Sequence, residues 1–505
     1  MKGYLPLVAC LLGLAGCATT VPTRLGPAAG TGLVYASLPG ENATDSISVR
    51  AVSGSATYPL DVVYEGGSHV VESWLPPGDY KLDRWDGLAF GDYTSFHVEA
   101  GRITDLGALV PMAIGDYKFV VLPIRPTVGD SSLQAVQAEF ASHLHDAPIE
   151  WRPTAPPHAI QRPQPSTGLG LIADLMMAYQ RKVNRAPLRQ QLAGAKSSQA
   201  FFDLAKASVP PTTQTALTDA KGDLLYGADL GQIRVRHPDA SWTSIDSGVL
   251  ATVTALARRD DLLVAGYDNG WIRASADGGK TWSAAATLAS EEPVIDISWS
   301  GKRWLATTFG ASKAVNVYAS VGDAFGTFAR IHQAFARWGF HIRGQLTQDA
   351  YYVNADPDLY RLDLESMQWN KVPTPTDVDG FNVSPNGDLL TVFHAKGIFS
   401  KLYLSTDKGA SWKQYKAPPL VIDDMKFSDP THGLAVRVRP NAFSVTVMLL
   451  RYQPGADEWS LLTQPPEECE HMIDDANGQP AFCIARGGAV LGQDAGKWRI
   501  ESAAY

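Results

Sequence analysis

Arginines in the second half of the chain could bind an anionic ligand. A guanidinium presents a planar fork of donors that pairs with a carboxylate through two parallel hydrogen bonds. Five arginines lie near the predicted starts of repeated units: Arg303, Arg337, Arg343, Arg437 and Arg439. Nothing in their spacing fixes them as a set. A pair of carboxylates for glycoside hydrolysis is equally open, because such a pair needs only to converge in space.

His143, His145 and Asp146 have side chains that could bind a metal ion. They follow or end a predicted helix over residues 131–143, and positions two apart on a helix point to different sides. We therefore interpret them as a polar helix end, and expect neither a metal site nor a cofactor. No nucleophile elbow, phosphate loop, dinucleotide fingerprint or zinc-protease motif is present in the sequence.

The thiol of Cys17 could carry a lipid. An apolar run from Leu5 to Leu14 is too short to span a membrane as a helix, and it ends in Leu14-Ala15-Gly16-Cys17. This pattern resembles the lipobox of bacterial lipoproteins, whose cysteine becomes the lipidated first residue. The resemblance implies a signal peptide over residues 1–17. Because Ala18 follows, and not Asp, it implies an outer-membrane lipoprotein on the periplasmic or surface face. An ordinary secretory signal with a chance cysteine is the alternative.

Cys469 and Cys483 remain once Cys10 leaves with the signal peptide and Cys17 is modified. An even pair of cysteines in an exported domain is typical of a disulfide. Lying fourteen residues apart, the two could bridge adjacent strands of the last repeated unit. Two buried free thiols are the alternative. A metal site would need more ligands than this pair offers.

A pattern of eight residues, Ser-x-Asp-x-Gly-x-Thr/Ser-Trp, occurs twice. Its fixed positions are Ser275, Asp277, Gly279, Thr281 and Trp282, and again Ser405, Asp407, Gly409, Ser411 and Trp412. The carboxylate can accept hydrogen bonds from a turn, glycine supplies a positive φ, and tryptophan can bury a large ring between sheets. The pattern resembles the Asp box (BNR repeat) of sialidase-type β-propellers. In that family the box is a structural hairpin away from the catalytic face.

Aromatic residues recur at intervals of 39 to 47 residues around the two boxes. They are Trp242, Trp282, Phe328, Trp369, Trp412, Trp459 and Trp498. Such an interval is the length of a four-stranded propeller blade. The pattern therefore predicts a seven-bladed β-propeller over residues 213–505. Six or eight blades are alternatives, because the blade that ends at Phe328 is weakly marked.

The sialidase resemblance implies a triad of arginines, a tyrosine nucleophile with a glutamate partner, and an aspartate acid/base. The early Phe-Arg-Ile-Pro signature of that family is missing before the first repeat. His341 and Arg343, near Trp338, could line the central face of the propeller or be ordinary surface. Similar repeats occur in photosystem-assembly propellers, sortilin-like receptors and many exported bacterial proteins, where a rigid face of loops suits binding.

Short alternating or β-branched segments predict strands over residues 32–126. The stretch Leu75-Pro76-Pro77-Gly78-Asp79-Tyr80, followed by a strand that ends in Ala100-Gly101, resembles prealbumin-like or Ig-like β-sandwich modules, which are spacers or binding domains. Residues 18–31 are a predicted tether. Residues 127–212 are a predicted Pro-rich linker and helical hairpin, packed on a neighbouring domain or, as the alternative, lying on a membrane. The apolar residues of the hairpin are Leu171, Leu175, Met176, Tyr179, Phe201, Phe202 and Leu204.

The 505 residues carry a formal net charge of −9 at pH 7, so nothing indicates a basic surface for nucleic acid.

We expect a mainly β protein with an N-terminal β-sandwich, a short helical segment and a C-terminal β-propeller. Our first hypothesis is a lipid-anchored cell-envelope protein whose propeller is a non-catalytic scaffold that binds or assembles a protein or glycan ligand. The alternative is a glycan-active hydrolase of the sialidase-like type. Two carboxylates or three clustered arginines on the propeller axis would favour the hydrolase.

Overall fold

The computed structural model describes most of the chain beyond the N-terminal segment. The described residues are 26–28, 30–39, 46–65, 68–90, 93–115, 118–125, 131–161, 194–209, 217–219, 221–288, 292–322, 325–339, 341–384, 386–395, 399–418, 421–440, 445–465, 469–474, 480–485, 489–494 and 497–502. The predicted signal peptide with Cys17, most of the tether, and residues 162–193 of the predicted hairpin lie outside these ranges.

Two β-sheets that face each other form the N-terminal module. The first sheet contains β1 (Gly32–Leu38), β4 (Val62–Glu65), β5 (Ser68–Leu75), β9 (Ile103–Gly115), β10 (Lys118–Ile124), β11 (Ile149–Glu150) and β12 (Ala159–Gln161). The second contains β2 (Ile47–Ala51), β3 (Thr57–Leu60), β6 (Gly78–Trp85), β7 (Leu88–Ala89) and β8 (Phe96–Val98). Val34 and Val121 of the first sheet pack with Val49, Trp85 and Phe96 of the second in one core. The predicted sandwich is therefore confirmed.

Residues 131–161 extend this module beyond the predicted boundary at residue 126. Strand β11 pairs in parallel with β9, and β12 pairs with β10 at the sheet edge. Helix α1 (Ser131–Glu139) covers part of the outer face of the first sheet, where Val136 joins the cluster of Tyr35 and Trp74. The assignment of this stretch to a linker was wrong, because its short strands are fixed by the long neighbours they pair with and not by their own pattern.

The described residues of the C-terminal part form seven four-stranded antiparallel sheets, each made from consecutive strands. Blades 1 to 3 contain β13 (Leu217–Thr218), β14 (Leu224–Gly227), β15 (Gln232–Arg236) and β16 (Trp242–Asp246); β17 (Val253–Arg259), β18 (Leu262–Tyr267), β19 (Trp271–Ser275) and β20 (Ala286–Thr287); and β21 (Val294–Trp299), β22 (Trp304–Thr308), β23 (Ala314–Ser320) and β24 (Phe328–Phe335).

Blades 4 to 7 follow the same order. They contain β25 (Gly344–Leu346), β26 (Ala350–Ala355), β27 (Asp358–Asp363) and β28 (Trp369–Lys371); β29 (Gly380–Val383), β30 (Leu390–His394), β31 (Lys401–Ser405) and β32 (Lys413–Tyr415); β33 (Val421–Asp429), β34 (His432–Pro440), β35 (Val445–Gln453) and β36 (Glu458–Thr463); and β37 (Cys469–Asp474), β38 (Pro480–Ala485), β39 (Val490–Asp494) and β40 (Lys497–Ser502).

The aromatic repeat marks the fourth strand of the blades. Six of the seven aromatic residues lie at, or next to, the first residue of that strand, and Trp282 precedes β20 by four residues. The middle strands β22 and β23 of blade 3 are buried along their whole length, because this sheet packs against a sheet on both sides. The predicted seven-bladed propeller is confirmed.

Blade 1 packs against blade 7 and so closes the ring. Leu224 and Tyr226 share a core with Ile484 and Val490. The guanidinium of Arg236 forms an ion pair with Glu501, and its Nη2 donates to Glu501 Oε1 at 3.1 Å. Both side chains are almost fully buried, 8% and 4% exposed. In the described part of the chain, closure therefore rests on side chains, and no strand is shared between the first and last blades.

A disulfide joins the first two strands of blade 7. Cys469 of β37 and Cys483 of β38 are bonded, with their Cα atoms 5.7 Å apart. Both sulfurs lie in the core between blades 6 and 7. The predicted disulfide is confirmed. It links the innermost strand of blade 7, the blade that closes the ring, to the next strand of the same blade.

Helix α2 (Ser198–Ser208) lies between the sandwich and the propeller. Ser197 caps its first turn, where the N–H of Ala200 donates to Ser197 Oγ at 3.2 Å. Phe201 and Phe202 pack on the outer face of the first sheet, and the same cluster includes Leu230 of blade 1. Arg234 of β15 also donates to the carbonyl of Ala207 at 3.0 Å. The module and the propeller thus share one core. Among the described residues no helix is both long and apolar enough to cross a bilayer.

Candidate functional site

The antiparallel order of strands divides the loops of the propeller between two faces. The first strand of each blade is innermost, because consecutive first strands lie against each other around the ring, as β17 and β21 do. Loops that join the second to the third strand therefore share a face with the connectors between blades, and we call this the connector face. Loops that join the third to the fourth strand share the opposite face.

Both Asp boxes lie on the face opposite the connectors, between β19 and β20 and between β31 and β32. In the first box Asp277 Oδ1 accepts from the N–H groups of Lys280 at 3.0 Å and Thr281 at 2.9 Å. Its Oδ2 accepts from the hydroxyl of Thr281 at 2.6 Å. The hydroxyl of Ser275 receives the N–H of Gly279 at 2.7 Å. These bonds use the carboxylate inside the turn and hold the pKa of Asp277 well below its usual range.

The second box repeats this geometry. Asp407 accepts from the N–H of Ser411 at 2.8 Å and from the hydroxyl of Ser405 at 2.7 Å. The bonds with Ser411 and Ser405 lower the pKa of Asp407 to about 2. Gly409 has a φ of 92°, and a Cβ there would stand 2.5 Å from Val372 of the preceding blade. Glycine is required at this position by both the turn and the blade interface.

The tryptophans of the boxes are less buried than the sequence suggested. Trp282 packs on the core between blades 1 and 2, and Trp412 on the core between blades 4 and 5, but both rings stay half-buried. Trp412 Nε1 donates to the carbonyl of Pro373 at 2.8 Å and so links two blades. The expectation of a ring enclosed between sheets was too strong, because the turn holds each indole at the rim.

The connector between blades 3 and 4 is clamped by one carboxylate. Asp356, which is almost fully buried, accepts from the N–H of Trp338 at 2.7 Å and from the N–H of Gly339 at 2.9 Å. The N–H of Arg337 donates to the carbonyl of Asp356 at 2.7 Å. Three consecutive N–H groups of the connector are thus bound to one residue of the next blade, which fixes the backbone.

This fixed connector holds two large rings in solvent. Trp338 is 63% exposed, and Phe335, at the end of β24, is 67% exposed. Ala336 between them is buried, and its N–H donates to the carbonyl of Lys313 at 2.9 Å. Since the connector runs from the outermost strand of blade 3 to the innermost strand of blade 4, the rings lie toward the rim of the connector face.

The inner end of the same connector carries His341 and Arg343. His341 is exposed and has a φ of 50°, a strained conformation for a residue with a side chain. The N–H of Arg343 donates to Asn354 Oδ1 at 2.9 Å. The guanidinium lies over the ring of Phe381 at 5.4 Å, and burial lowers the pKa of Arg343, an effect that Asp424 opposes. A cation therefore stands at the axial end of the connector.

The innermost strand of blade 3 carries a half-buried carboxyl, that of Asp296. Asp296 Oδ2 accepts from the hydroxyl of Tyr351 at 2.6 Å and from that of Ser298 at 3.0 Å. Tyr351 also lies 2.6 Å from Thr307 Oγ1. Burial raises the pKa of Asp296 to about 6 despite these bonds. A Cβ at Gly344 would stand 1.9 Å from the hydroxyl of Tyr351, so this strand approaches the pair as closely as only glycine permits.

The five arginines named from the sequence do not gather at one place. Arg303 lies in the turn between β21 and β22, on the face of the Asp boxes, and Arg337 pairs with Asp377 at 3.6 Å on the connector face. Arg343 is axial, whereas Arg437 and Arg439 lie along β34. Arg303 and Arg337 are therefore on opposite faces of the propeller, and the five arginines do not form a single set.

The histidines near α1 also point apart. The ring of His143 contacts Trp74, with ring centroids 6.2 Å apart, and His145 lies against Gly101. Within the described ranges, no three His, Cys, Asp or Glu side chains are grouped so that they could hold a metal ion.

Asp356, Asp296 and Phe335 were not predicted from the sequence. A signal for Asp356 exists, since Asp-Pro after a buried strand is typical of a turn in which the carboxylate caps nearby N–H groups. No spacing points to Asp296, whose partner Tyr351 is 55 residues away.

The fold and this face define a β-propeller protein with an N-terminal β-sandwich. No protein-family model matches the chain, and no curated protein sequence does. Among solved structures, YCF48 bound to D1 peptide is 14% identical with a TM-score of 0.40, covering 57% of this chain and 93% of that chain. The tricorn protease is 9% identical with a TM-score of 0.43, and this chain spans only 35% of its length. A protein of Bacteroides uniformis described as a 6-phosphogluconolactonase is 10% identical with a TM-score of 0.41. The assignment of the fold therefore rests on the sheets of this chain itself.

Proposed function

We propose that the protein is a lipid-anchored component of the cell envelope whose propeller is a non-catalytic scaffold that binds a partner on its connector face. The proposal is carried by one observation: Asp356 fixes the backbone of the connector between blades 3 and 4 while Trp338 stays 63% exposed. An indole held in water adds little to folding, since its burial is the main source of its stabilising effect.

The clamp supports binding for a second reason. A surface that is already fixed loses little conformational freedom when a partner arrives, so more of the contact energy appears as affinity. Exposed tryptophans are also the side chains that most often dominate binding energy. The strained His341 on the same connector fits this role, because such conformations concentrate at ligand-binding sites.

Photo-crosslinking in intact cells tests the contact surface. A photoreactive amino acid at position 338 should yield a discrete crosslinked product. The same group at position 321, which is equally exposed at 62% but lies on the opposite face of blade 3, should not. Equal crosslinking at both positions, or none at 338, would contradict the proposal.

Lipid anchoring is supported by the Leu14-Ala15-Gly16-Cys17 pattern alone. With Cys17→Ser, the protein should move from the membrane fraction to the soluble fraction, because the acyl chains supply the membrane affinity. Membrane retention of this variant after cleavage of its signal would contradict the anchor. Separation of inner and outer membranes, followed by protease treatment of whole cells, would show the membrane and the face.

A glycan-active hydrolase is the second candidate, and Asp296 is the observation that favours it. A carboxyl whose pKa is raised to about 6 could act as a general acid. The carboxylate of Asp424, whose charge acts on Arg343, already accepts the N–H groups of Met425 at 2.9 Å and Met472 at 3.0 Å. Hydrolysis of an aryl glycoside panel that is abolished by Asp296→Asn would establish this candidate in place of the scaffold.

A further inference from the structure

We infer that Arg343 forms a carboxylate-binding site at the axial end of the connector between blades 3 and 4, and that its ligand is the side-chain or terminal carboxylate of a peptide segment. The inference deepens the proposed function and rests on it, since it names the chemical group that a partner on the connector face would present. It is carried by Arg343 and the side chains around it.

A fully buried amide fixes the backbone that carries Arg343. Asn354 Oδ1 accepts the N–H of Arg343 at 2.9 Å, and Asn354 Nδ2 donates to the carbonyl of His341 at 3.2 Å. Asn354 itself is fully buried in β26, the second strand of blade 4. One side chain therefore holds both ends of a three-residue segment. The position of Arg343 does not have to be organised when a ligand arrives, so more of the contact energy appears as affinity.

The guanidinium lies where the innermost strands of successive blades converge. Arg343 directly precedes β25 of blade 4, and its guanidinium stands 5.4 Å from the ring centroid of Phe381 in β29 of blade 5. The charge of Asp424, in β33 of blade 6, also acts on it. The aromatic face attracts the cation without using its hydrogen-bond donors. Both carboxylate oxygens of Asp424 accept backbone N–H groups, those of Met425 and Met472.

The guanidinium of Arg343 has no hydrogen-bond acceptor within the described part of the protein. Nε is the only nitrogen of this side chain that is both shielded from solvent and unbonded, so solvent reaches Nη1 and Nη2. Comparable arginines of the propeller use their donors. Arg258 pairs with Asp219, and Arg273 Nη1 donates to a backbone carbonyl at 2.6 Å. A charge that is partly withdrawn from water without a partner is unfavourable, and a ligand carboxylate would relieve this.

The charge and the depth of the site select the ligand. A guanidinium balances one negative charge and pairs with a carboxylate through two parallel hydrogen bonds. The charge of Asp424 acts on the same cation, which disfavours a dianion such as phosphate. Arg343 is only partly exposed. A carboxylate at the end of a slim, flexible peptide group can reach such a recessed cation, whereas a uronic acid has to bring its sugar ring along with the carboxylate.

Ligand-observed NMR on the full-length protein in detergent, at low salt, tests the inference. The probes are acetyl-Gly-Gly-Glu-Gly-Gly-amide, its Gln counterpart, acetyl-pentaglycine with a free carboxyl terminus, and glucuronate. At least one of the two peptides that carry a carboxylate should bind, and the tighter of the two identifies the source as a side chain or a chain terminus. The Gln peptide should bind at least about tenfold more weakly than that peptide.

Arg343→Gln should weaken binding of the same peptide at least about tenfold. Arg343→Lys should retain part of the affinity, because it keeps the charge but loses the paired donors. Arg337→Gln is the matched control, since its guanidinium is exposed on the same connector and pairs with Asp377 at 3.6 Å. This variant should bind like the unchanged protein.

Absence of binding to both carboxylate peptides would overturn the inference, as would an Arg343→Gln variant that binds like the unchanged protein. An equal loss in Arg337→Gln would also overturn it, because the effect would then be one of general surface charge. Tighter binding of glucuronate than of either peptide would overturn the choice of a peptide. Crosslinking from position 338 without peptide binding would reject the carboxylate site and leave the proposed function standing, whereas peptide binding without crosslinking would reject the contact at Trp338.

Discussion

The pKa values of two aspartates, Asp277 and Asp296, are shifted in opposite directions in the folded protein. The exposed carboxylate of Asp277 accepts several hydrogen bonds. The folded state therefore favours its ionised form, and the pKa of Asp277 is lowered. Asp296 is half-buried between blades 3 and 4, so the folded state favours the protonated form and its pKa is raised to about 6. The two residues therefore make opposite contributions to stability as pH changes.

For Asp277, the lowered pKa means that its stabilising contribution is present above pH about 4 and is lost as pH falls. Asp277→Asn should lower the melting temperature at pH 7, because the turn loses a charged acceptor. The difference from the unchanged protein should shrink between pH 4 and pH 2.5. Asp261→Asn is the matched control, because Asp261 has an exposed carboxylate in the turn before β18. It should change neither the melting temperature at pH 7 nor the dependence of the melting temperature on pH. A constant difference across this pH range would contradict the assignment.

For Asp296, the raised pKa means that its contribution is present below pH about 4 and is lost as pH rises through 6. Between pH about 4 and pH 6, the free energy of unfolding of the unchanged protein should fall by no more than roughly 2–3 kcal/mol. Because the carboxyl is partly exposed, the fall should be smaller than this upper bound. Asp296→Asn should remove this slope in a series of urea titrations. Tyr351→Phe removes a bond that lowers the pKa, so it should move the slope to higher pH. An unchanged slope in Asp296→Asn would show that another group titrates.

Among the elements, blade 7 depends on its covalent link. The loop closed by Cys469 and Cys483 spans 14 positions. Loss of such a loop constraint costs about 3 kcal/mol. Cys469→Ala with Cys483→Ala should lower the melting temperature, and a reducing agent should lower that of the unchanged protein but not that of the variant. A variant as stable as the unchanged protein would mean that the closed ring already restrains the blade.

The blades could be predicted from sequence because their signal is local and repeated. Each marker aromatic lies close to the start of a fourth strand, and the Asp boxes place two turns to the residue. The connector face could not be predicted in the same way. The clamp on Trp338 depends on Asp356, which comes from the next blade, and exposure of a ring leaves no periodic trace. Strands β11 and β12 were missed because they are two and three residues long and owe their pairing to β9 and β10.

In the molecule as a whole, the ring depends on the pair Arg236 and Glu501. Arg236→Met leaves Glu501 buried with the exposed Arg499 as its one remaining ion-pair partner among the described residues, and should cost about 3 kcal/mol in urea unfolding. Arg499→Met is the matched control, since it removes a partner of the same carboxylate from an exposed position and should cost less than about 1 kcal/mol. Arg236→Met combined with Glu501→Leu should recover most of the loss. Equal costs for both arginines would contradict a buried closure.

The shared core at α2 should couple the unfolding of the sandwich to that of the propeller. Phe201 is fully buried among both domains, and Phe201→Ala should cost about 3–5 kcal/mol. We expect calorimetry to show one transition for the unchanged protein and two for the variant, because the domains lose their coupling. Leu204→Ala on the exposed side of the same helix should leave one transition. A single transition in Phe201→Ala would show that the domains are coupled elsewhere.

The closure of the ring by side chains has a consequence for the order of folding. Each blade is made from consecutive strands, so blades can form one after another as the chain is synthesised. The contact between Arg236 and Glu501 spans 265 residues, whereas the neighbouring contact of Arg258 with Asp219 spans 39. Closing the longer loop costs about 1.7 kcal/mol more in chain entropy. Contacts of such long range form late. Until residue 501 has been synthesised, the first and last blades expose apolar faces. An unfinished propeller therefore has two edges that can associate with other chains, and the completed ring lacks them.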